Sequence, residues 1–420
     1  MSVKEVVTEK KVNLDSSVFG DRTVQNMLDT DLYVFNMMAA TLHQCSSFLE
    51  SGEFSLICRS DVDLRPYTAQ FKFELEKLEK LSLTLDQKLY MKKEMPWLKE
   101  NFLEYLRLFR FNLKFLHFSD NGKQLEVRFS GPVINGIPFE VPCLATISEV
   151  YNRNVNGHIQ HEDLRKSVMT KIEYLQSCID ADPDGMKDFK FADFGTRRRF
   201  SFESQRLVVD LMSRLLPNHF VGTSNVHLAK EYKVKPIGTM AHLWQMMFQQ
   251  SHSRVENSVE ASLDAWVKEF RGELGYALTD TLTTDHFFSK FDSYYAKLFD
   301  GLRQDSGCPF EFGEKAIAHY EKLGIDPKTK LIIFSDGLDF KVAIDIYYRF
   351  KDRIKVSFGI GTFLTNNIPG VDSISIVMKL TRVNGEPVAK ISDTPEKAIC
   401  VEKYFIDYLM SSLKISQLKK

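Results

Sequence analysis

The chain has 420 residues, 44% hydrophobic and 12% aromatic, enough for two domains and a large core. A formal net charge of -1 supplies no global attraction to nucleic acid or to an anionic membrane, so cationic clusters must act locally, on small anions. Six scattered cysteines without a C-x-x-C pair indicate neither a zinc site nor a disulfide framework, and fit a reducing compartment.

Residues 1–24 are polar, read as a flexible lead-in and contain no apolar signal core, and no later apolar run reaches bilayer length. A soluble, cytoplasmic protein is expected, with the nucleus also open to it. Order is expected from Gln25, with Asp29 or Thr30 capping a helix through Phe35, Met38, Ala39 and Leu42. Phe54, Leu56 and Cys58 alternate as in a strand, and Phe73 to Leu81 and Leu85 to Leu98 carry helical spacing broken at Thr84 and Pro96. Phe115 to Phe118, then Asp120-Asn121-Gly122, then alternating Leu125, Val127 and Phe129 spell a hairpin, because Asn-Gly accepts the positive φ of a tight turn. Strands and helices in blocks predict an α+β domain over residues 25–170.

From Ile172 short apolar strands alternate with helices. Strand ends fall at Asp193-Phe194-Gly195, Gly222-Thr223-Ser224, Gly238-Thr239, Thr279-Asp280-Thr281, Arg303 to Gly307, Ser335-Asp336-Gly337 and Gly359 to Thr362. Helices lie between them: one capped by Ser201 with Leu207, Leu211 and Leu215, one from Glu314 to Lys322, one from Asp339 to Phe350. A βα repeat with polar tips on one side means a parallel barrel or a doubly wound sheet, and seven tips in one run favour an irregular (β/α) TIM-like barrel over residues 171–372. Residues 373–420 break the rhythm. Ile374, Ile376 and Met378 alternate, Asn384-Gly385 turns, Val388 to Ile391 returns as a strand toward the first domain, and a helix from Glu396 to Leu413 precedes a basic tail.

Arginines and glycines at strand tips suit phosphates, since guanidinium groups pair with oxyanions and glycine lets backbone amides approach. Arg197, Arg303, Gly359 and Gly361 are the candidates, with rim salt bridges and simple turns as the bland alternative. Asp280, Asp305 and Asp336 could hold ribose hydroxyls or Mg²⁺, or serve as caps. His242, at the start of a helix after Gly238-Thr239, is a general base, a phosphoryl acceptor or a structural histidine. There is no Walker motif, Gly359-Ile360-Gly361 is too short for a dinucleotide fingerprint, and no histidine pair has metal-ligand spacing.

From Leu28 to Asp393 the motifs LDTDLYVFNM, ISEVYNR, DFGTRRRFS, GTSN, PIGTMAH, ALTDT, LRQDSG, GEKAIAHYEKLGIDP, FSDGLD, FGIGT and VAKISD resemble the nicotinate phosphoribosyltransferase family in sequence and order. The resemblance implies an N-terminal domain packed on an irregular barrel, and a homodimer with active sites at the subunit interface. It implies ATP-coupled synthesis of nicotinate mononucleotide from nicotinate and phosphoribosyl pyrophosphate, with ATP as co-substrate, Mg²⁺ as cofactor and no nucleic-acid or membrane partner. By resemblance, Phe194 would stack on the nicotinate ring, Tyr33 would close its other face from the partner subunit, and Arg197, Thr196 and Ser224 would lie near its carboxylate and the reacting ribose. The serine would favour the acid over the amide. Arg303, Asp305, Asp280 and Asp336 would hold ribose and phosphates, Gly359, Gly361 and Thr362 the 5'-phosphate, and His242 would become a phosphohistidine; the metal ligands are not assigned. The family usually has Glu where this chain has Leu243 and Asp where it has Cys308. A nicotinamide-using transferase and a ligand-binding but inert relative are the alternatives.

Overall fold

Alternating apolar residues build two separate sheets, described by a computed structural model over residues 18–251, 254–273, 275–394 and 397–414. Most of the expected lead-in, the Glu396 start of the expected last helix and most of the basic tail lie outside the described residues. The first helix is Leu32–Gln44, and its N-cap is Asp31, not Asp29 or Thr30. No side chain caps it, because tertiary partners win: Asp31 accepts from Ser224 Oγ at 2.7 Å, and Asp29 accepts from Arg199 at 2.8 Å.

Strand β1 (Ser51–Cys58), β2 (Leu116–Asp120) and β3 (Leu125–Pro132) form the antiparallel core of the N-terminal sheet. Phe54 lies opposite Phe129 in register, and their rings meet edge-on with centroids 5.7 Å apart. Helices Thr68–Glu76, Leu85–Glu94 and Glu100–Leu108 fill the interval, the second closed by a Thr84–Gln87 capping box. The hairpin turn is wider than an Asn-Gly pair predicts. Asp120 pairs with Leu125, only Gly122 of the loop has a positive φ (81°), and Asn121 Oδ1 accepts from the amides of Lys123 and Gln124 at 2.9 Å each. Helix His161–Ala181 then runs without a break across the 170/171 boundary that the sequence suggests.

Seven parallel strands follow: β4 (Phe191–Asp193), β5 (Phe220–Thr223), β6 (Lys235–Pro236), β7 (Tyr276–Leu278), β8 (Gly301–Gln304), β9 (Leu331–Phe334) and β10 (Lys355–Ile360). Their order, β6-β5-β4-β10-β9-β8-β7, makes a curled half-barrel left open between β6 and β7. Each ends at one of the polar tips expected from the sequence. Phe189, Phe191, Phe334, Phe350 and Phe358 are fully buried and pack β4, β9 and β10 against the surrounding helices.

β11 (Ile376–Val383) returns to the first sheet and pairs antiparallel with β1, giving the order β12-β11-β1-β3-β2 with β12 at Glu386–Pro387. Asn384 and Gly385 both take positive φ (52° and 85°) in the turn between them. The expected strand Val388 to Ile391 leaves this sheet. Lys390 bridges to Ile399, and the Ile391 amide bonds Thr281 O at 2.8 Å, so the segment lies across the half-barrel tips. The last helix is Lys403–Ser412. Among the described residues no helix is long and apolar enough to cross a membrane.

Candidate active site

The tip of β4 sets the geometry. Asp193 is fully buried and accepts from Gln205 Nε2 and Thr223 Oγ1 at 2.7 Å each and from the Gly195 amide at 2.8 Å, while burial pushes its carboxyl up to about 6. That brace turns Phe194 out of the strand and onto β10. A Cβ at Gly359 would collide with the Phe194 ring, so the glycine is the seat of that ring. The Arg303 guanidinium carbon stands 5.8 Å from the ring centroid.

Phe194 faces a cavity of about 730 Å³ over the half-barrel tips. Arg59, Arg197, Arg198, Arg303, Lys379, Lys390 and Lys397 line it, against Asp305, Asp336 and Asp372, a balance that suits a polyanionic ligand. The three consecutive arginines separate. Arg197 meets Glu140 at 3.3 Å and stands 6.0 Å from the Tyr33 ring centroid. Arg198 lines the cavity, where burial and the neighbouring charges of Arg197 and Arg59 push it down to about 10. Arg199 is fully buried and binds both carboxylate oxygens of Asp29, Thr23 O and Gln205 Oε1 at 2.7–3.1 Å, so it braces the fold and faces no ligand.

His242 lies at the other side of the cavity. Its Nε2 is 2.8 Å from Asp280 Oδ1 and 3.7 Å from Asp305 Oδ2, and Lys390 Nζ and Ser306 Oγ hold Asp280 Oδ2 at 2.8 and 2.6 Å. Burial, with Lys390's charge, pushes the imidazole down to about 4 against the pull of Asp280, so it is neutral near pH 7. Asp280 stays ionised: burial opposes this, but His242 and Lys390 together hold it well below the usual carboxylate range. With Nε2 given to Asp280, Nδ1 carries the free lone pair, and it has no hydrogen-bond partner among the described residues.

Of the residues singled out in the sequence, Phe194, Arg197, His242, Arg303, Asp305, Asp336, Gly359, Gly361 and Thr362 line this cavity. Tyr33, Thr196, Ser224 and Asp280 stand behind its wall. The Thr196 side chain is fully buried and accepts from Gln205 Nε2 at 2.9 Å, and Ser224 is spent on Asp31. Both hydroxyls are engaged within the protein, and neither residue lines the cavity. Tyr33 is 6% exposed and lies beside its own chain's Arg197, where the resemblance implied a partner-supplied ring. Arg59, Lys379, Lys390 and Lys397 were not anticipated. Lys390 stands in the VAKISD motif, and Lys379 follows the apolar Ile376-Val377-Met378 of β11; both were legible signals.

A model of the nicotinate phosphoribosyltransferase family matches residues 189–417, and one of that family's N-terminal domain matches residues 28–148. The chain belongs to the nicotinate phosphoribosyltransferase family. It is 48% identical over 404 residues to a nicotinate phosphoribosyltransferase of Ectopseudomonas mendocina, covering 96% of this chain and 100% of that one. It is 49% identical over 393 residues to nicotinate phosphoribosyltransferase 1 of Pseudomonas aeruginosa, covering 94% and 97%. Solved structures agree. The nicotinate phosphoribosyltransferase of Vibrio cholerae superposes with a TM-score of 0.91 at 38% identity over 95% of both chains, and that of Porphyromonas gingivalis with 0.85 at 34% over 93% of this chain and 100% of that one. Against the nicotinate phosphoribosyltransferase pattern, the two departures fall away from the reacting groups. Leu243 is buried in the core while Asp280 orients His242, and Cys308 is an exposed N-cap before helix Pro309–Lys322, outside the cavity lining.

Proposed function

We propose that the protein is a nicotinate phosphoribosyltransferase that uses ATP hydrolysis to drive formation of nicotinate mononucleotide and pyrophosphate from nicotinate and phosphoribosyl pyrophosphate, the entry of nicotinate into NAD salvage. One observation carries this reading: a single cation-lined cavity joins an aromatic plate, Phe194 under Arg303, to a neutral His242 with an open Nδ1. A flat aromatic acid, a sugar polyphosphate and a phosphoryl group each need one of those features.

Nicotinate would lie on Phe194, with Arg197, which stands 6.0 Å from the Tyr33 ring centroid, at its far side. Its ring nitrogen attacks the anomeric carbon as pyrophosphate leaves, and positive charge builds on the ribose, so catalysis rests on placing the base and neutralising the departing anion. Arg303 and Lys397 serve that anion. Asp336, paired with Lys397, would exchange that partner for the ribose hydroxyls. Gly361 and Thr362 offer backbone amides to the 5'-phosphate. His242 Nδ1 would attack the terminal phosphoryl of ATP, expelling ADP, and water would later cleave the N–P bond.

Mg²⁺ fits the donor set. Asp305 Oδ1 accepts from Arg303 and Ser335, while Oδ2 has no hydrogen bond among the described residues, which suits an ion held by one carboxylate, substrate phosphates and water. Asp280 is already satisfied by His242, Lys390 and Ser306. When bound, Mg²⁺ offsets the charge of the pyrophosphate. A homodimer, as the resemblance implies, would place its active sites at the subunit interface. A cytoplasmic location would fit the same substrates.

Incubation with nicotinate, phosphoribosyl pyrophosphate, ATP and Mg²⁺ should yield the mononucleotide, and folded protein that makes none would sink the proposal. Gly359→Ala probes the ring seat. Its methyl displaces Phe194, so kcat/KM for nicotinate should fall on the order of 10²-fold with an unchanged circular dichroism spectrum, and wild-type kinetics would rule out Phe194 as the plate.

A further inference from the structure

The cations around the cavity divide into neutralised and free ones. Arg197 meets Glu140, Arg303 meets Asp305, Lys390 meets Asp280 and Lys397 meets Asp336. Arg59, Arg198 and Lys379 have no ion pair among the described residues; Arg198 donates to Ser375 Oγ at 3.5 Å, and Lys379, partly buried on the cavity wall, makes no side-chain hydrogen bond to a described residue. It arrives from the other sheet. Val377 and Lys379 occupy alternate positions on one face of β11, with Ser375 just before the strand, all toward the cavity, and Lys379 is fixed in register opposite Ser55 of β1. The charged groups facing it are Glu140 from helix Glu140–Val155, Arg197 from the turn after β4, Asp305 from the tip of β8, and Lys390. Two of these, Glu140 and Arg197, form the pair beside the Tyr33 ring.

We propose that Lys379 receives the carboxylate of nicotinate and selects the acid over the amide. This rests on the activity proposed above, and it moves the selecting role away from Ser224. Three facts carry it. The Ser224 hydroxyl donates to Asp31, so it is not free to meet a ligand. Arg197 already answers Glu140, and the buried Asp31 lies on the same side, so an anionic ring would meet two acids unless a further, uncompensated cation faced it. Finally, an ammonium discriminates by chemistry: it gives a carboxylate a charge-assisted hydrogen bond, whereas the amide's NH₂ would meet it donor to donor.

The test is steady-state kinetics of wild type, Lys379→Met and Lys379→Arg with nicotinate and nicotinamide as competing bases. Lys379→Met should raise KM for nicotinate about tenfold or more and cut the nicotinate-to-nicotinamide ratio of kcat/KM by a similar factor. Lys379→Arg keeps the charge and should keep the preference within a few-fold. Burial pushes the ammonium down to about 8, with Arg197 and Lys390 adding to this against Glu140 and Asp305. KM for nicotinate should therefore rise above pH 8 in wild type, as the charge is lost, and stay level in Lys379→Arg. An unchanged ratio in Lys379→Met, or a KM rise for phosphoribosyl pyrophosphate or ATP in place of nicotinate, overturns the assignment. Wild-type protein that turns over no nicotinate would overturn the activity reading as well, a result distinct from failure of the variants alone.

Discussion

Replacing His242 by alanine should abolish ATP stimulation of mononucleotide synthesis while leaving a slow, ATP-independent transfer. The expectation follows from the division of labour in the cavity: the ring plate, Arg303 and Asp336 act on the base and the sugar phosphate, and His242 offers a neutral imidazole with an open Nδ1 to a phosphoryl group. Asp280 occupies Nε2, so mass spectrometry or phosphorus NMR of the ATP-treated protein should find the phosphoryl group on Nδ1. Because the imidazole is pushed down to about 4, the rate of its phosphorylation should be flat from pH 6 to 8 and fall only toward pH 4. The same shift carries a stability cost in acid. The unfolded histidine takes up a proton near its ordinary value of about 6.5 and the folded one near 4, so this group lowers stability as pH falls through that window. Asp280→Asn should weaken both the hydrogen bond that orients Nε2 and ATP stimulation. Unchanged ATP dependence in His242→Ala would remove the phosphohistidine from the mechanism.

The seven strand tips were legible because each couples a short apolar run to Gly, Asp, Ser or Thr, a pattern that local sequence alone creates. The direction of side chains beyond the tips was not. Thr196, Arg197, Arg198 and Arg199 are consecutive, yet they meet Gln205, Glu140, the cavity and Asp29 in turn, because Thr196–Arg198 is a 3₁₀ turn that swings each side chain by about 120°. A run of arginines at a tip therefore says that cations are near a site, not which one faces it. His242 was ambiguous for a different reason. Its orienting partner Asp280 is 38 residues away and is itself held by Lys390, 110 residues further along the chain, contacts that only the folded C-terminal segment creates. That segment was misread as a strand, since Val388 to Ile391 has strand composition, while Asp280, Thr281 and Ser306 at the barrel tips offer it better partners than a sheet edge.

Asp29→Ala should have the largest effect on stability. Arg199 is fully buried and its partner is Asp29, itself 1% exposed, with Asn225 Nδ2 donating to the same carboxylate at 2.7 Å and the Gln25 amide at 3.0 Å. Burial alone would raise the Asp29 carboxyl, but the charge and hydrogen bonds of Arg199 outweigh it and hold the group below the usual carboxylate range. Removing the carboxylate strands a guanidinium with only Thr23 O and Gln205 Oε1, and such an uncompensated buried charge costs about 3–5 kcal/mol. A matched apolar pair, Asp29→Leu with Arg199→Met, should lose less than the single change, because it leaves no charge behind. Urea midpoints of the two variants and the wild type decide the point: a single variant as stable as wild type would mean that the pair is ornamental. The pair also has a functional consequence, since it pins the segment leading into Asp31 and Tyr33 onto the turn that carries Arg197. Asp29→Ala protein that stays folded should therefore lose nicotinate affinity more than affinity for phosphoribosyl pyrophosphate, because the ring wall moves while Arg303, Asp336 and the Gly361 loop stay on the half-barrel.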